Sequence, residues 1–136
     1  RPRPPMWGLD GKRIIFKARY NESEKGPQIY MVDIEGGNLT HIDRFTGGAS
    51  DYSGKGVLFS LVEEGVFLYR YDTGKVDKVS GVKGIYEPKP SPNGNLIAYS
   101  DPQGKIFIMK SDGTESQKVM DTKRLIPTWR FYWIPN

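Results

Sequence analysis

The stretch that decides the fold is Pro88-Lys89-Pro90-Ser91-Pro92-Asn93-Gly94-Asn95-Leu96-Ile97-Ala98-Tyr99-Ser100, followed after a short polar gap by Lys105-Ile106-Phe107-Ile108-Met109-Lys110-Ser111-Asp112-Gly113-Thr114. Each apolar block is about one strand long and rich in Ile, Phe and Tyr. Each is bounded by turn residues with Gly at the tip, which is hairpin grammar rather than helix grammar. The same grammar stands twice upstream. One copy runs Pro5-Met6-Trp7-Gly8-Leu9-Asp10-Gly11-Lys12-Arg13-Ile14-Ile15-Phe16, then Gln28-Ile29-Tyr30-Met31-Val32-Asp33-Ile34-Glu35-Gly36-Gly37-Asn38-Leu39-Thr40-His41-Ile42. The other runs Ser53-Gly54-Lys55-Gly56-Val57-Leu58-Phe59-Ser60, then Gly65-Val66-Phe67-Leu68-Tyr69-Arg70-Tyr71-Asp72-Thr73-Gly74-Lys75-Val76.

Aligning the turn glycines Gly11, Gly54 and Gly94 gives spacings of 43 and 40 residues, and Pro88 to Pro127, where a fourth copy begins at Pro127-Thr128-Trp129, gives 39. A period near 40 built from short strands is that of a β-propeller blade, about 40–45 residues in four strands. The predicted fold class is therefore all-β: a β-propeller segment of about three four-stranded antiparallel blades plus the first strand of another. The blades fall at residues 5–43, 48–80 and 86–121, with an extra strand and tail at 126–136.

The turns place the strands. Asp10-Gly11, Ser53-Gly54 and Asn93-Gly94 form the first turn of each copy, and Glu35-Gly36, Thr73-Gly74 and Asp112-Gly113 the second, Gly reaching positive φ at little cost. Strand two is then Arg13 to Lys17, Val57 to Leu61 and Leu96 to Ser100. Strand three is Ile29 to Asp33, Val66 to Tyr71 and Ile106 to Lys110. The short first strands lie around Trp7, Ser50 and Pro90, and the fourth strands near residues 39–42, 76–79 and 117–120. Up-and-down alternation puts both tight turns at one end of each blade. Long loops between strands two and three share the opposite end with the crossovers between blades.

Composition agrees with this and removes other classes. Of 136 residues 16 are Gly and 10 are Pro, which the repeat assigns largely to turns and strand entries; Cys is absent and there is one His. Disulfide scaffolds, Cys-ligated zinc or iron–sulfur sites and His-rich metal sites are excluded. No apolar run approaches the roughly 18 residues of a membrane-spanning helix. The 20 basic and 16 acidic residues are interleaved along the chain, which argues against a nucleic-acid partner, whose phosphates call for a clustered basic stripe. The missing Cys does not fix the compartment. An opening of Arg1-Pro2-Arg3-Pro4-Pro5 in place of Met reads as a processed product or part of something longer.

The repeat resembles that of the TolB-type (WD-like) propeller family, in which P-x-W-S-P-D-G-K-x-I-A-F is followed by I-Y-x-x-D-x-D-G and a basic, Leu-containing fourth strand. The first copy matches at Pro5, Trp7, Asp10, Gly11, Lys12, Ile14, Phe16, Ile29, Tyr30, Asp33 and Gly36. The third matches at Pro88, Ser91, Pro92, Gly94, Ile97, Ala98, Tyr99, Ile106, Asp112 and Gly113. The second departs, with Ser50-Asp51-Tyr52-Ser53 in place of the Trp-Ser-Pro-Asp run, and keeps Gly54-Lys55 and the apolar strands. The resemblance implies a scaffold with several uses: the partner-binding half of TolB, the gating domain of prolyl-oligopeptidase-like serine peptidases, and the tricorn protease. It implies a periplasmic or extracellular setting in the first use and a cytoplasmic one in the second.

Catalytic constellations are not assembled by this sequence. Serine hydrolysis needs a nucleophile, a His base and an acid that orients it; His41 stands where the repeat puts a basic residue of strand four, and no G-x-S-x-G elbow accompanies it. The stretch from Gly48 to Gly56 imitates a phosphate loop, but Ala49 and Gly56 stand where Gly and Ser or Thr are required, and the repeat makes Gly54-Lys55 a hairpin. Asp33-Ile34-Glu35-Gly36-Gly37-Asn38 imitates a calcium loop, yet Arg44 occupies the place of its bidentate Glu. It reads as an acidic hairpin tip. Glu63 and Glu64, adjacent in a loop between strands two and three, read as a solvated tip. Tyr30, Phe59, Phe67, Tyr69, Tyr99 and Phe107 read as blade-to-blade packing rather than a stacking surface for bases. No catalytic residue, metal or cofactor is expected.

Binding is the function left. The expectation is a non-catalytic protein-interaction module resembling the TolB propeller; the alternative is a fragment of a peptidase's substrate-gating propeller without its catalytic domain. The partner-binding residues expected at the crossover end and on the channel-lining strands are Arg44, Phe45, Asp51, Tyr86, Glu87, Lys89 and Arg124. Closed propellers have about four to eight blades, so three cannot close alone. Either further blades belong to the ring, or copies of the chain associate as a homo-oligomer, head-to-tail or by strand exchange. The aromatic run with Trp129, Phe131, Tyr132 and Trp133 is assigned to that completion, as an inner strand or as a cap over a blade face.

Overall fold

The computed structural model describes residues 5–19 and 26–120. Arg124, Trp129, Phe131, Tyr132 and Trp133, and with them the fourth copy, lie outside the described residues. The first sheet is built from β1 (Met6–Trp7), β2 (Arg13–Ala18), β3 (Gln28–Asp33) and β4 (Thr40–Arg44). The second contains β5 (Gly48–Asp51), β6 (Gly56–Leu61), β7 (Gly65–Arg70) and β8 (Val76–Ser80). The third contains β9 (Tyr86–Pro90), β10 (Leu96–Ser100), β11 (Ile106–Lys110) and β12 (Gln117–Met120). Each pairs antiparallel in chain order, with no exchange of strands between sheets. These are three β-propeller blades in a row that does not close, and the described residues contain no helix.

All six glycines assigned to the turns have positive φ, from 69° at Gly74 to 86° at Gly113. The departure of the second copy is a one-residue shortening of its first turn. In blade 1 the Gly8 N–H donates to the Arg13 carbonyl, and in blade 3 Ser91 to Leu96, each across four residues. In blade 2 Tyr52 donates to Gly56 across three, and both Ser53 (φ 48°) and Gly54 (φ 74°) enter the left-handed region, as a type I′ turn demands. A second backbone bond recurs in every blade and clamps its two turns together: Ile34 to Lys12, Tyr71 to Lys55 and Ser111 to Asn95. The loop between strands two and three is not long throughout. In blade 2 it is residues 62–64, because Leu61 still pairs with Gly65.

Alternation along each strand sends successive residues to opposite blade faces. On β6 both faces are covered, and all six residues are buried. Val57, Phe59 and Leu61 join Ile15, Ile29, Met31 and Ile42 of blade 1 in one core. Leu58 joins Val66 and Leu68, and Ile97, Tyr99 and Met109 of blade 3, in the other. Each fully buried side chain of this size contributes about 1.5–3 kcal/mol, so these two interblade cores are the main source of stability. The expected packing aromatics belong to them: Phe59–Phe67 and Tyr99–Phe107 stack at 5.7 and 5.2 Å between ring centres. Tyr30, stacked on Phe16 at 5.8 Å, is only half-buried, on a face of blade 1 that no described element covers.

Candidate functional site

A propeller's short first strands line its channel, and here β5 and β9 lie side by side. The Ser50 hydroxyl donates to the Pro88 carbonyl at 3.0 Å, and a Cβ on Gly48 would stand 3.1 Å from the Glu87 Cα. A side chain at Gly48 would crowd that backbone, and one at Gly47 would stand 2.0 Å from the Ser60 Oγ and 3.0 Å from the Ile85 carbonyl oxygen. The Gly47-Gly48 doublet was the sequence signal of that close approach.

Glu87 is the unusual residue of this strip. Its φ is 48°, in the left-handed region that non-glycine residues rarely enter. Register explains it: Lys89 pairs with Ala98 and Tyr86 with Ser100, so Glu87 and Pro88 together face Tyr99. This is a β-bulge, a device that re-aims a side chain. Pro88, which has no N–H for the ladder, was the readable sign of it. The Glu87 carboxylate lies 3.9 Å from the Lys89 ammonium, both largely buried. Tyr86, Glu87 and Lys89 are thus brought together on β9.

Arg44 and Phe45 sit elsewhere, at the exit of β4 into the crossover toward β5. Arg44 donates to Glu64 of the blade 2 loop and to Asp43 at 3.4 Å. The Glu64 hydrogen bond and charge, reinforced by Asp43, raise the Arg44 guanidinium pKa further. Glu64, read from sequence as part of a solvated loop tip, is exposed and is also half of an ion pair between blades. The Lys17 ammonium stands over the Phe45 ring, 4.9 Å from its centre, while the ring packs on the first interblade core. Beside the second crossover Val82 is 47 % exposed, with Lys83 next to it. Asp51 does not join this group. It lies at the tight-turn end of β5, accepting from the Tyr71 hydroxyl and the Gly54 N–H, each at 2.7 Å. His41 lies on the uncovered face of blade 1, its Nε2 2.8 Å from Gln28 Oε1 and its ring 5.4 Å from Tyr30. Among the described residues no three His, Cys, Asp or Glu side chains converge as a metal site would require.

Solved structures share this fold. TolB from Acinetobacter baumannii superposes with a TM-score of 0.67 at 21% identity, over 87% of this chain and 32% of that one. The fold is that of the TolB-type β-propeller. A protein assigned as TolB from Agrobacterium tumefaciens gives 0.65 at 21%, over 87% of this chain and 50% of its own. A puromycin hydrolase gives 0.66 at 12%, over 87% of this chain and 22% of its own. The three-blade segment thus spans between about a fifth and half of these proteins. Neither a protein-family model nor a curated protein sequence matches the chain.

Proposed function

We propose that this TolB-type propeller segment is a non-catalytic protein-interaction module whose partner docks on the crossover end. The observation that carries the reading is the make-up of that end. Half-buried Phe45 at the first crossover has Lys17 over its ring and Arg44, of the Arg44–Glu64–Asp43 ion-pair group, beside it in sequence, and exposed Val82 stands next to Lys83 at the second crossover. Apolar side chains set among charged ones are what a docking surface is made of. At the tight-turn end polar side chains such as Asp51 fasten the chain's own turns, and the exposed apolar residues there are Leu9, Ile34, Leu39 and Val76. The single imidazole is engaged on a blade face, remote in role from the channel-lining strands. Tyr86, Glu87 and Lys89 would add a channel-side contact, and Arg124 belongs to the same proposed set.

The test is affinity capture with the chain and with its Arg44→Glu and Val82→Asp variants, followed by titration of the captured protein. A partner that binds the parent chain and loses at least tenfold in Kd with both variants supports the reading. Retained binding in both would move the surface elsewhere.

The second reading is a piece of a hydrolase's substrate-gating propeller, favoured by the superposition on puromycin hydrolase. The reading frame around this chain separates the two: continuation into a hydrolase domain with a G-x-S-x-G elbow selects the gating role.

A further inference from the structure

The first turns of the three blades carry Asp10-Gly11, Ser53-Gly54 and Asn93-Gly94 in equivalent places, and Asn93-Gly94 is the one Asn-Gly pair in the sequence. That pair has a chemistry the other two lack. Glycine sets no side chain beside its own N–H, so the Gly94 backbone nitrogen can close a five-membered ring on the Asn93 side-chain carbon, a route that makes asparagine thermolabile. The turn holds Gly94 at a φ of 76°, where glycine alone is unstrained, so the fold itself puts a glycine after Asn93. Asn93 is exposed and within reach of water.

The folded turn holds the pair away from ring closure. The Gly94 N–H donates to the Ser91 carbonyl at 2.8 Å, which turns the attacking nitrogen to another partner. The Asn93 Oδ1 accepts from the Asn95 N–H at 3.0 Å and from the Ser91 hydroxyl at 2.8 Å, and so fixes the side-chain amide over the residue that follows the glycine. Blade 2 clamps the same peptide from outside. The Tyr52 hydroxyl donates to the Gly94 carbonyl at 2.8 Å, and a Cβ on Gly94 would stand 3.1 Å from the Ser53 Oγ. Tyr52 and Ser53 belong to the run in which the second copy departs from the repeat, and here that run covers the reactive turn of its neighbour.

We propose that Asn93 is a self-modification site, gated by the Tyr52–Gly94 contact between blades 2 and 3. When the turn opens, the Gly94 nitrogen bonds to the Asn93 Cγ and gives up its proton, the bond from Cγ to the amide nitrogen breaks, and ammonia leaves. Water then opens the cyclic imide. Cleavage between Cγ and the Gly94 nitrogen yields aspartate, and cleavage of the backbone bond yields isoaspartate; amide and water have become carboxylate and ammonium, with no change of oxidation state. The aspartate product fits the turn, because among the described residues Asn93 serves there as an acceptor, and Asp10 in the equivalent place of blade 1 accepts from the Lys12 N–H at 2.9 Å in the same way. The isoaspartate product adds a backbone carbon inside a turn closed by the bond from Ser91 to Leu96. Either product lowers the net charge of +4 by one and is not reversed by refolding, so the site records how long the contact between the blades has stood open. The proposal is independent of what the crossover end binds.

Incubation of the 136-residue chain in mildly alkaline buffer, folded and in urea, tests it, with peptide mass spectrometry that separates aspartate from isoaspartate. Asn93 should deamidate at least tenfold faster in urea than in the folded chain, while Asn38 and Asn95, each followed by Leu, serve as internal references that keep their amides. Tyr52→Phe should raise the folded-state rate at least threefold and leave the rate in urea unchanged, since position 52 is remote from Asn93 in sequence. An unreactive Asn93 in urea, equal rates in the folded and unfolded chain, or a folded-state rate untouched by Tyr52→Phe overturns the proposal. Should Tyr52→Phe misfold, hydrogen exchange at the Gly94 amide of the parent decides, because exchange and ring closure both need the bond to Ser91 open. Folding should slow deamidation at least as much as it slows that exchange, and a protected amide with unslowed deamidation refutes the gate.

Discussion

Tyr71 and Asp51 are joined by a hydrogen bond of 2.7 Å, the phenol donating to the carboxylate, while the Arg13 guanidinium of blade 1 lies 4.1 Å from the centre of the Tyr71 ring. Arg13 is itself held by Asp10 at 2.5 Å. The chain Asp10, Arg13, Tyr71, Asp51 and the Gly54 N–H therefore ties the first turns of blades 1 and 2 together. It also explains why Asp51, expected among the partner-binding residues, is occupied within its own fold.

Removing that hydroxyl tests the tie. Burial, then the bond to Asp51, pushes the Tyr71 phenol pKa well above its ordinary 10.0. The folded chain thus holds its proton where the unfolded chain releases it. The stability from this group is complete below pH 10 and falls as pH rises beyond it toward the raised folded value. Tyr71→Phe should cost about 1 kcal/mol at neutral pH, as a lost hydrogen bond does, and should flatten the decline above pH 10. Urea unfolding of both proteins between pH 7 and 11 checks magnitude and sign; parallel curves would refute the linkage.

The turn glycines separate two costs that sequence cannot distinguish. Gly36 and Gly113 occupy equivalent second turns with φ of 85° and 86°. A Cβ on Gly36 would meet nothing within 4 Å, but one on Gly113 would stand 2.2 Å from the Val79 carbonyl oxygen of blade 2. Gly36→Ala should cost about 1–2 kcal/mol, the penalty of a left-handed L-residue. Gly113→Ala should cost that plus displacement of the blade 2–blade 3 contact, for a total of about 3 kcal/mol or more. Thermal unfolding of the two variants checks the difference, and equal losses would mean the turn relaxes away from Val79.

That comparison shows what could be read in advance. A demand for positive φ selects Gly, so the turns and the period near 40 stood in the sequence, and strand positions followed. Val57 and Ile97 could be seen as strand residues, but which neighbouring blade each meets depends on register. The left-handed bulge at Glu87 leaves only the indirect mark of Pro88 in a strand. The pairing of Arg44 with Glu64 joins residues of different blades, which no local pattern encodes. The shortened turn of blade 2 was visible as a departure from the repeat, and its type I′ geometry came from the backbone bond of Tyr52 to Gly56.

Ser60 offers a gain rather than a loss. It is fully buried on β6, and among the described residues its Oγ has no hydrogen-bond partner. A buried hydroxyl without a partner costs about 1–3 kcal/mol in desolvation. Ser60→Ala should therefore be neutral or raise stability by up to about 1 kcal/mol, the lost packing of one small atom offsetting part of the relief. Chemical denaturation with an unchanged m-value checks it, and a loss above about 1 kcal/mol would mean the hydroxyl is bonded in solution.

The Arg44–Glu64 pair bridges two blades at the crossover end, yet both side chains are about half exposed. Water and salt screen such a pair, and Arg44→Ala should move stability by less than about 1 kcal/mol, with the difference shrinking further at 0.5 M salt. The same substitution lies on the proposed docking surface, where the complementary charge of a partner would displace water from it. Loss of partner affinity with stability nearly intact is the expected signature, read by pairing urea unfolding with a binding titration on one preparation. A large loss of stability would instead assign Arg44 to holding blades 1 and 2 together and remove it from the docking surface.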